Sequence, residues 1–352
     1  MTIPAGANNI SFQNTIEAEF GPNPARSLGS YRVSDTIHKL NNLPLDTGIP
    51  QSGQIKFSHF RGKSLNVVVN LWQSGGPYGN TTQYHINAKT DKWNNNQVIV
   101  VGRFRNKKES GSKIIIHIDK NFRSQSNTVR RDNPNRCAVR TGGWTGIVGN
   151  IKIDVANNGR LTGAGGRGGN GGRGYQLEGG QPGGSGSSAL GVEYPSTVNI
   201  NGGLLRAGYG GGGGGGSGRE RDKGKDRKGS GGGGGGGAGL PFGDGGSVTQ
   251  SPGPGEENNY QPAIAGSESN ATVAGAGGGG AINDGEAYGG AGGNGGQNGE
   301  GADNGQNGGQ QGVNRGLGGG NGSAIRATSG SISVTVNNSG TYIGGRSNGG
   351  IS

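Results

Sequence analysis

The chain has 352 residues, of which 86 are glycine, with one cysteine and one methionine. Glycine averages about 7% of protein sequence, so this is not the composition of an ordinary enzyme. Residues 1–150 hold 15 glycines and residues 151–352 hold 71; charge divides at the same place, with 19 Lys/Arg against 8 Asp/Glu before it and 14 against 14 after. No apolar run approaches the ~18–20 residues of a transmembrane helix, and "MTIPAGANNISF" shows no secretory signal, so membrane insertion and export are not expected. Cys137 stands alone, which excludes an internal disulfide framework and a cysteine-based structural zinc site. Glycine does not recur at every third position throughout, which excludes strict collagen.

Residues 1–64 read as a small N-terminal attachment segment, too short and too poor in apolar side chains to stand comfortably alone. Two stretches, from Pro4 and from Pro50, each place a Pro/Gly turn before an Ile-x-Phe triplet, Ile10 with Phe12 and Ile55 with Phe57. Each triplet runs into one or two expected helical turns. Between them Val33, Ile37 and Leu40 give a weak helical pattern that Pro44 closes. "GKS" at Gly62–Lys63–Ser64 falls short of a phosphate loop, because the glycine required five positions earlier is Phe57. It reads as a turn.

Residues 65–156 carry strand signals. "LNVVVNL" (65–71), "QVIVVGRF" (97–104), "SKIIIHID" (112–119) and "GNIKIDVA" (149–156) are β-branched, alternating or wholly apolar, and bounded by turn residues. They predict an all-β domain, a small β-sandwich or jelly-roll, with Trp72, Trp93, Trp144 and Phe104 as core anchors. The positive charge gathers here, at Arg103, Arg105, Lys107 and Lys108 and again at Arg130 and Arg131. Such a patch suits DNA, lipopolysaccharide phosphate or an acidic neighbouring subunit. Without a nucleic-acid fold signature or interleaved aromatics, specific nucleic-acid binding is disfavoured against a subunit contact or a solvated face.

Residues 157–352 form a glycine-rich region with too few large apolar side chains for a conventional core to offset the ordering of its backbone. Two alternatives follow: a disordered tether, or a scaffold in which backbone pairing replaces side-chain burial. "GAGGRGGNGGRG" (163–174) and "GGAGGNGGQNG" (289–299) repeat Gly-Gly-X with period three. Three residues per turn is the period of polyproline II, which has no internal hydrogen bonds. Side-by-side helices of this type could pair their N–H and C=O groups, giving a polyglycine-II-type bundle with Arg167, Asn170, Arg173, Asn294 and Gln297 outward. "IDVANNGRLTGAGG", "VNINGGLLRAGYGG" and "VTVNNSGTYIGG" reuse one phrase of short strands leading into glycine, which favours the ordered alternative. "RERDKGKDRK" (219–228) has no apolar member and predicts an exposed loop, with Arg219, Arg221, Lys223, Lys225, Arg227 and Lys228 as a candidate contact to a host surface. Tyr260, in the Pro-rich stretch 241–266, is a candidate for stacking on sugars.

"LPLDTGIPQSGQIKFSHFRGKS", with "LNVVVN", "RCAVRTGGW" and "ALGVEYP…GGLLRAGYGGGGGGG", resembles glycine-rich structural proteins of tailed bacteriophages, notably phages of cyanobacteria. The resemblance implies a virion protein of the tail fibre or baseplate and brings no catalytic residues with it. Nor do the residues themselves offer any. His38, His59, His85 and His117 form no metal-spaced pair, and no Gly-x-Ser-x-Gly elbow occurs. No catalytic site, cofactor or metal is expected. The leading expectation is a structural virion protein, a tail-fibre, adhesin or baseplate-associated component, assembled in the host cytoplasm, joined to other virion proteins through residues 1–64, and oligomeric, a trimer fitting such a scaffold. Its loops would meet host polysaccharide or protein. The alternatives are a glycan-degrading tailspike-like enzyme, which would need a regular parallel strand ladder that the sequence does not display, a neck or capsid fibre without a receptor role, and a non-viral ice- or mineral-binding lattice.

Overall fold

The computed structural model describes residues 3–18, 27–31, 50, 53–63, 67–71, 84–85, 98–101, 114–118, 121–123 and 135–141, together with 149–348 apart from 175, 223–224, 249–262, 271, 284–285, 288, 298–299 and 310–311. In chain order the strands begin with β1 (Val67–Leu71), β2 (Tyr84–His85), β3 (Val98–Val101), β4 (Ile114–Ile118), β5 (Asn121–Arg123) and β6 (Cys137–Arg140). Next come β7 (Ile151–Val155), β8 (Arg160–Thr162), β9 (Ser188–Val192), β10 (Ser196–Ile200) and β11 (Leu204–Arg206). Two short hairpins follow, β12 (Gly218–Asp222) with β13 (Lys225–Gly229) and β14 (Ile282–Asn283) with β15 (Glu286–Ala287). The chain closes with β16 (Ile325–Ala327), β17 (Val334–Asn338), β18 (Thr341–Ile343) and β19 (Arg346–Asn348). Among the described residues helix is confined to short turns, and the fold is all-β.

Outside the hairpins the strands make three sheets, ordered β17-β10-β7-β4-β1-β3, β18-β11-β8-β5 and β19-β16-β9-β6-β2. Every pair is parallel except β1 with β3. Each circuit visits the three sheets in turn: β4–β5–β6, β7–β8–β9, β10–β11–β16, β17–β18–β19. The result is a three-sided parallel solenoid, and the repeated phrases of the sequence are its successive coils. Thus Ile151 pairs with Ser196 and Ser196 with Val334, while Leu161 pairs with Leu205 and Leu205 with Tyr342. The turn from β10 to β11 passes through Gly202 at φ +75°, a left-handed value that glycine adopts without a Cβ clash.

Aliphatic residues from all three walls fill the prism. Ile114, Ile116, Ile118, Ile151, Ile153, Val155, Val198 and Ile200 meet Leu161 and Leu205 from the second wall and Val139, Leu190 and Ile325 from the third. Short strands of period two supply each wall with one apolar row. Stacking the coils makes these rows continuous, which no single coil could bury by itself.

The sandwich expectation is therefore corrected: the strands coil in parallel, and β6 and β7 pair in register with β9 and β10, which pair in turn with β16 and β17. So is the expectation that no regular parallel ladder exists. Neither was visible because the coils are interrupted by insertions of unequal length, which hide the repeat. Trp72, Trp93, Trp144 and Phe104 lie outside the described residues; β-branched and leucine side chains make the described core.

The glycine-rich sequence is inserted at one corner of the prism, between β8 and β9 and again between β11 and β16. It runs as extended segments g1 (163–174), g2 (178–187), g3 (207–217), g4 (230–239), g5 (241–247), g6 (263–270), g7 (273–281), g8 (289–297), g9 (301–308) and g10 (312–322). Their hydrogen bonds follow the three-residue period predicted from the sequence. In g1, Gly166, Gly169 and Gly172 donate to Tyr209, Gly212 and Gly215 of g3, while Gly165, Gly168 and Gly171 donate to Pro241, Asp244 and Ser247 on g5.

Segments g3 and g4 are surrounded. Successive N–H groups of g3 point three ways: Gly211 to Gly184 of g2, Gly212 to Gly235 of g4 and Gly213 to Asp303 of g9. Its carbonyls accept from three more segments, Gly211 from Gly319 of g10, Gly212 from Gly169 of g1 and Gly213 from Gly293 of g8. Segment g4 likewise donates to g1, g8 and g6 and accepts from g3, g5 and g7. This connectivity stacks the segments in three layers: g2-g1-g5 above, g10-g3-g4-g6 in the middle, g9-g8-g7 below. The buried peptide groups find partners although hardly any side chain is present to cover them. Such close approach tolerates no Cβ: one built on Gly214 would strike the carbonyl oxygen of Asn170.

In the N-terminal region, Ser11 caps a π-type turn at Phe12–Glu17, its side-chain oxygen accepting from the Asn14 amide at 3.0 Å. Further turns of 3-10 helix lie at Leu28–Tyr31 and Phe57–Phe60. Ile3, Ile16 and Phe60 are buried together, with Ile10, Phe12, Leu28 and Ile55 packed around them. The Ile3 amide donates to the Lys63 carbonyl at 2.9 Å, and Gly62 sits in a turn at φ +67°. The expected helix through Val33, Ile37 and Leu40 lies outside the described residues.

Candidate functional site

The course of the glycine segments determines what the molecule presents. Segment g1 leaves the prism after β8 and g2 returns to β9; g3 leaves after β11 and g10 returns to β16. Near the prism Gly163 donates to Arg206, Gly208 to Ser187 and Gly322 to Gly208, at 2.8–2.9 Å. At the opposite end Ser217 Oγ donates to the Glu178 carbonyl at 2.8 Å, the Gly174 amide to Ser230 Oγ at 3.1 Å and Val313 to Ser217 at 3.0 Å. The outer ends of g1, g2, g5, g6, g7, g8, g9 and g10 and the hairpin between g3 and g4 therefore gather at the end remote from the prism.

The β12–β13 hairpin grows from the two surrounded segments. Its register pairs Arg219 with Lys228, Glu220 with Arg227, Arg221 with Asp226 and Asp222 with Lys225. The expected open loop 219–228 is thus a two-stranded ribbon, and five of its six expected cations, Arg219, Arg221, Lys225, Arg227 and Lys228, lie on its strands. Lys223 lies outside the described residues, as do Tyr260, Arg103, Arg105, Lys107, Lys108, Arg130 and Arg131. The smaller β14–β15 hairpin, which no sequence signal announced, pairs Ile282 with Ala287 and Asn283 with Glu286.

The flanks of the lattice carry the third residue of each triplet. On the upper layer Asn170 Nδ2 donates to Gln181 Oε1 at 3.0 Å, while Asn170 Oδ1 accepts from the Ser247 amide and hydroxyl at 2.9 Å. Arg173 Nε lies 3.6 Å from Glu178 Oε2, with both side chains about half exposed. On the lower layer Asn294 Nδ2 donates to Asp303 Oδ2 at 3.1 Å, and its Oδ1 accepts from the Gly277 amide at 3.0 Å. An open groove of about 670 Å³ runs here, lined by Asn294, Gln297, Glu300 and Asp303. The outward placement expected for Arg167, Asn170, Arg173, Asn294 and Gln297 follows the triplet period; the rungs between segments depend on which segments are neighbours, which the sequence does not state.

No group of three or more His, Cys, Asp or Glu that could hold a metal ion occurs among the described residues. His117 is half-buried in β4. Burial raises the Cys137 thiol pKa to about 12, although Arg140, Arg326 and Arg136 oppose the shift. That sulfur is a structural core atom at neutral pH. Arg140 Nε lies 2.7 Å from Glu193 Oε1, a well-shielded pair that ties β6 to the turn after β9. Among the described residues no helix is long and apolar enough to cross a membrane.

Among solved structures the fold is similar to the gp37-gp38 adhesin tip complex of the bacteriophage S16 long tail fiber. The identity is 19% and the TM-score 0.40, over 85% of this chain and 90% of that one. No curated protein matches the chain. Residues 81–347 match the family of the phage tail fibre adhesin Gp38. That span takes in the solenoid from β2 onward and the whole glycine lattice, and the chain belongs to the phage tail fibre adhesin Gp38 family.

Proposed function

We propose that the chain is the host-facing adhesin of a phage tail fibre and that contact is made by the loops at the remote end of the glycine lattice. The observation that carries this is the out-and-back course of the segments, which brings the β12–β13 hairpin and the segments' outer ends together on one end of a rigid scaffold. A lattice held by backbone bonds leaves loop sequence free to vary without disturbing the support.

Residues 1–64 attach the chain to other virion proteins, and the protein works without catalysis, as a trimer or higher assembly within the virion. It folds in the host cytoplasm, which its disulfide-free sequence permits. The ladder offers a hydrolase little: the carboxylate it carries among the described residues, Asp154, is buried and held by Asn199 at 2.7 Å. The test is adsorption of virions to host cells after the connections at 175–177, 218–229, 282–288 and 309–311 are replaced by short Gly-Ser turns. Loss of adsorption with intact particles supports the proposal; unchanged adsorption refutes it.

A further inference from the structure

We propose that the open groove on the lower layer of the lattice binds a neutral surface glycan, a contact separate from the loops at the remote end. Two matching stations cross the groove. In one, Asn294 Oδ1 accepts from the Gly277 amide at 3.0 Å and Asn294 Nδ2 donates to Asp303 Oδ2 at 3.1 Å. In the other, Gln297 Oε1 accepts from the Ala274 amide at 3.2 Å and Gln297 Nε2 donates to Glu300 Oε2 at 3.0 Å. The step of three residues from Asn294 to Gln297 is matched by the steps from Gly277 back to Ala274 and from Asp303 back to Glu300. The same arrangement therefore recurs after one turn of the glycine helix, about 9 Å along g8. That is close to the length of a disaccharide.

The chemistry of a station selects a hydroxyl. Each bond commits one carboxylate oxygen and one of the two carboxamide N–H groups, which leaves the second oxygen and the second N–H to a ligand in the groove. A sugar hydroxyl donates and accepts at once and so answers both. A lysine or arginine head only donates, and would leave the amide hydrogen unmatched. A phosphate or carboxylate only accepts, and would meet two carboxylates of its own sign. The two carboxylates are tied to different carboxamides one helical turn apart, and no group of three or more metal-ligating side chains occurs among the described residues. A divalent cation is therefore not the ligand.

Shape and lining fit the same class. At about 670 Å³ the groove falls within the ~300–1,000 Å³ of small-molecule sites. Val273, 52% exposed, and Ala276 also line it. Apolar surface beside fixed polar groups suits a pyranose, whose C–H face needs contact while its hydroxyls need partners. The carboxamides are held by backbone amides of g7, so they meet a ligand already oriented and lose little rotamer freedom on binding. Gly296, next to the groove, donates to Gly210 at 2.8 Å, close to where g3 leaves the prism. The groove thus lies on the flank toward the prism, where a long surface polysaccharide reaches it when the remote end is at the cell.

Binding of the full chain is measured by calorimetry to hexasaccharides of glucose, galactose and mannose, at low and high salt, with hexalysine as the contrasting ligand. At least one sugar is expected to bind, with little dependence on salt. Glu300→Gln combined with Asp303→Asn keeps the side-chain shapes and should weaken binding by about tenfold or more. Val273→Ser should weaken it by about threefold or more. Glu268→Gln, exposed on g6 and outside the groove lining, should change it by about twofold or less. Amide protection at Gly275 and Gly295 verifies that each variant keeps its lattice. No binding of any hexasaccharide, an equal loss from Glu268→Gln, or a preference for hexalysine that falls steeply at high salt would overturn the proposal. Virion adsorption separates the two readings: if the Gly-Ser loop replacements abolish it while the groove variants bind sugar as well as the wild type does, the groove fails and the adhesin reading stands.

Discussion

Asn199 donates from its side-chain Nδ2 to Asp154 Oδ1 at 2.7 Å, one coil of the solenoid to the next. The ladder continues outward, with Asn337 Nδ2 donating to Asn199 Oδ1 at 2.8 Å. These residues occupy equivalent positions of β7, β10 and β17, so the hydrogen bonds run parallel to the backbone ladder and read out its register. Asp154 is nearly buried, and Lys152 Nζ lies 3.1 Å from its other oxygen.

Asn199→Ala should lower stability by about 1–3 kcal/mol, because it strips a donor from a buried carboxylate and an acceptor from Asn337. Asn199→Asp should cost more, since it sets two carboxylates against each other. Thermal unfolding of the three proteins at neutral pH tests the order wild type, Ala, Asp.

Gly214→Ala should disrupt the lattice, at a cost of about 4 kcal/mol or more. Its Cβ would overlap backbone atoms of g1 that six-fold packing prevents from moving. Gly279→Ala is the control: its Cβ would meet only Ile264 Cδ1 at 3.9 Å, and stability should change by about 0.5 kcal/mol or less. Chemical denaturation of both variants gives the comparison.

Amide exchange should divide the glycines by neighbours rather than by sequence. Gly211–Gly215 and Gly232–Gly237, whose N–H groups are all bonded within 3.3 Å, should exchange slowest, near the global unfolding limit. Gly6, whose surroundings are open, should exchange fast. Uniformly rapid exchange across the polyglycine tracts would contradict the lattice.

The native thiol of Cys137 should resist maleimide between pH 7 and 9, because it is buried and, with its pKa at about 12, only about one molecule in a thousand carries the thiolate even at pH 9. The corresponding linkage has a definite sign. The folded state holds its proton more tightly than the unfolded thiol, which titrates at its ordinary value of 9.0. The resulting stability is fully present below pH 9 and is lost as pH rises from there toward about 12. Cys137→Ala should flatten that part of the stability profile, as pH-dependent denaturation would reveal.

Several features were legible in the sequence. The runs at 65–71, 97–104, 112–119 and 149–156 contain β1, β3, β4 and β7, because alternation and β-branching record a strand with a buried face. The Gly-Gly-X period records which positions lack a Cβ, and therefore where backbones can meet. Even the coil repeat was present, in the phrases around Val155, Ile200 and Val336, but it yielded no solenoid without the pairing of strands far apart in the chain.

By itself, then, the sequence determined the all-β character, the three-residue period of the lattice and the outward positions of its side chains, because these follow from local geometry and from the absence of a Cβ. The tertiary structure alone decided that Val155, Ile200 and Leu205 share one prism, that g3 and g4 lie at the lattice centre, and that Arg219 faces Lys228 at its remote end. Glycine makes this unavoidable: a residue without a side chain carries no mark of its partner, so the identity of each neighbour is settled only when the backbones come together.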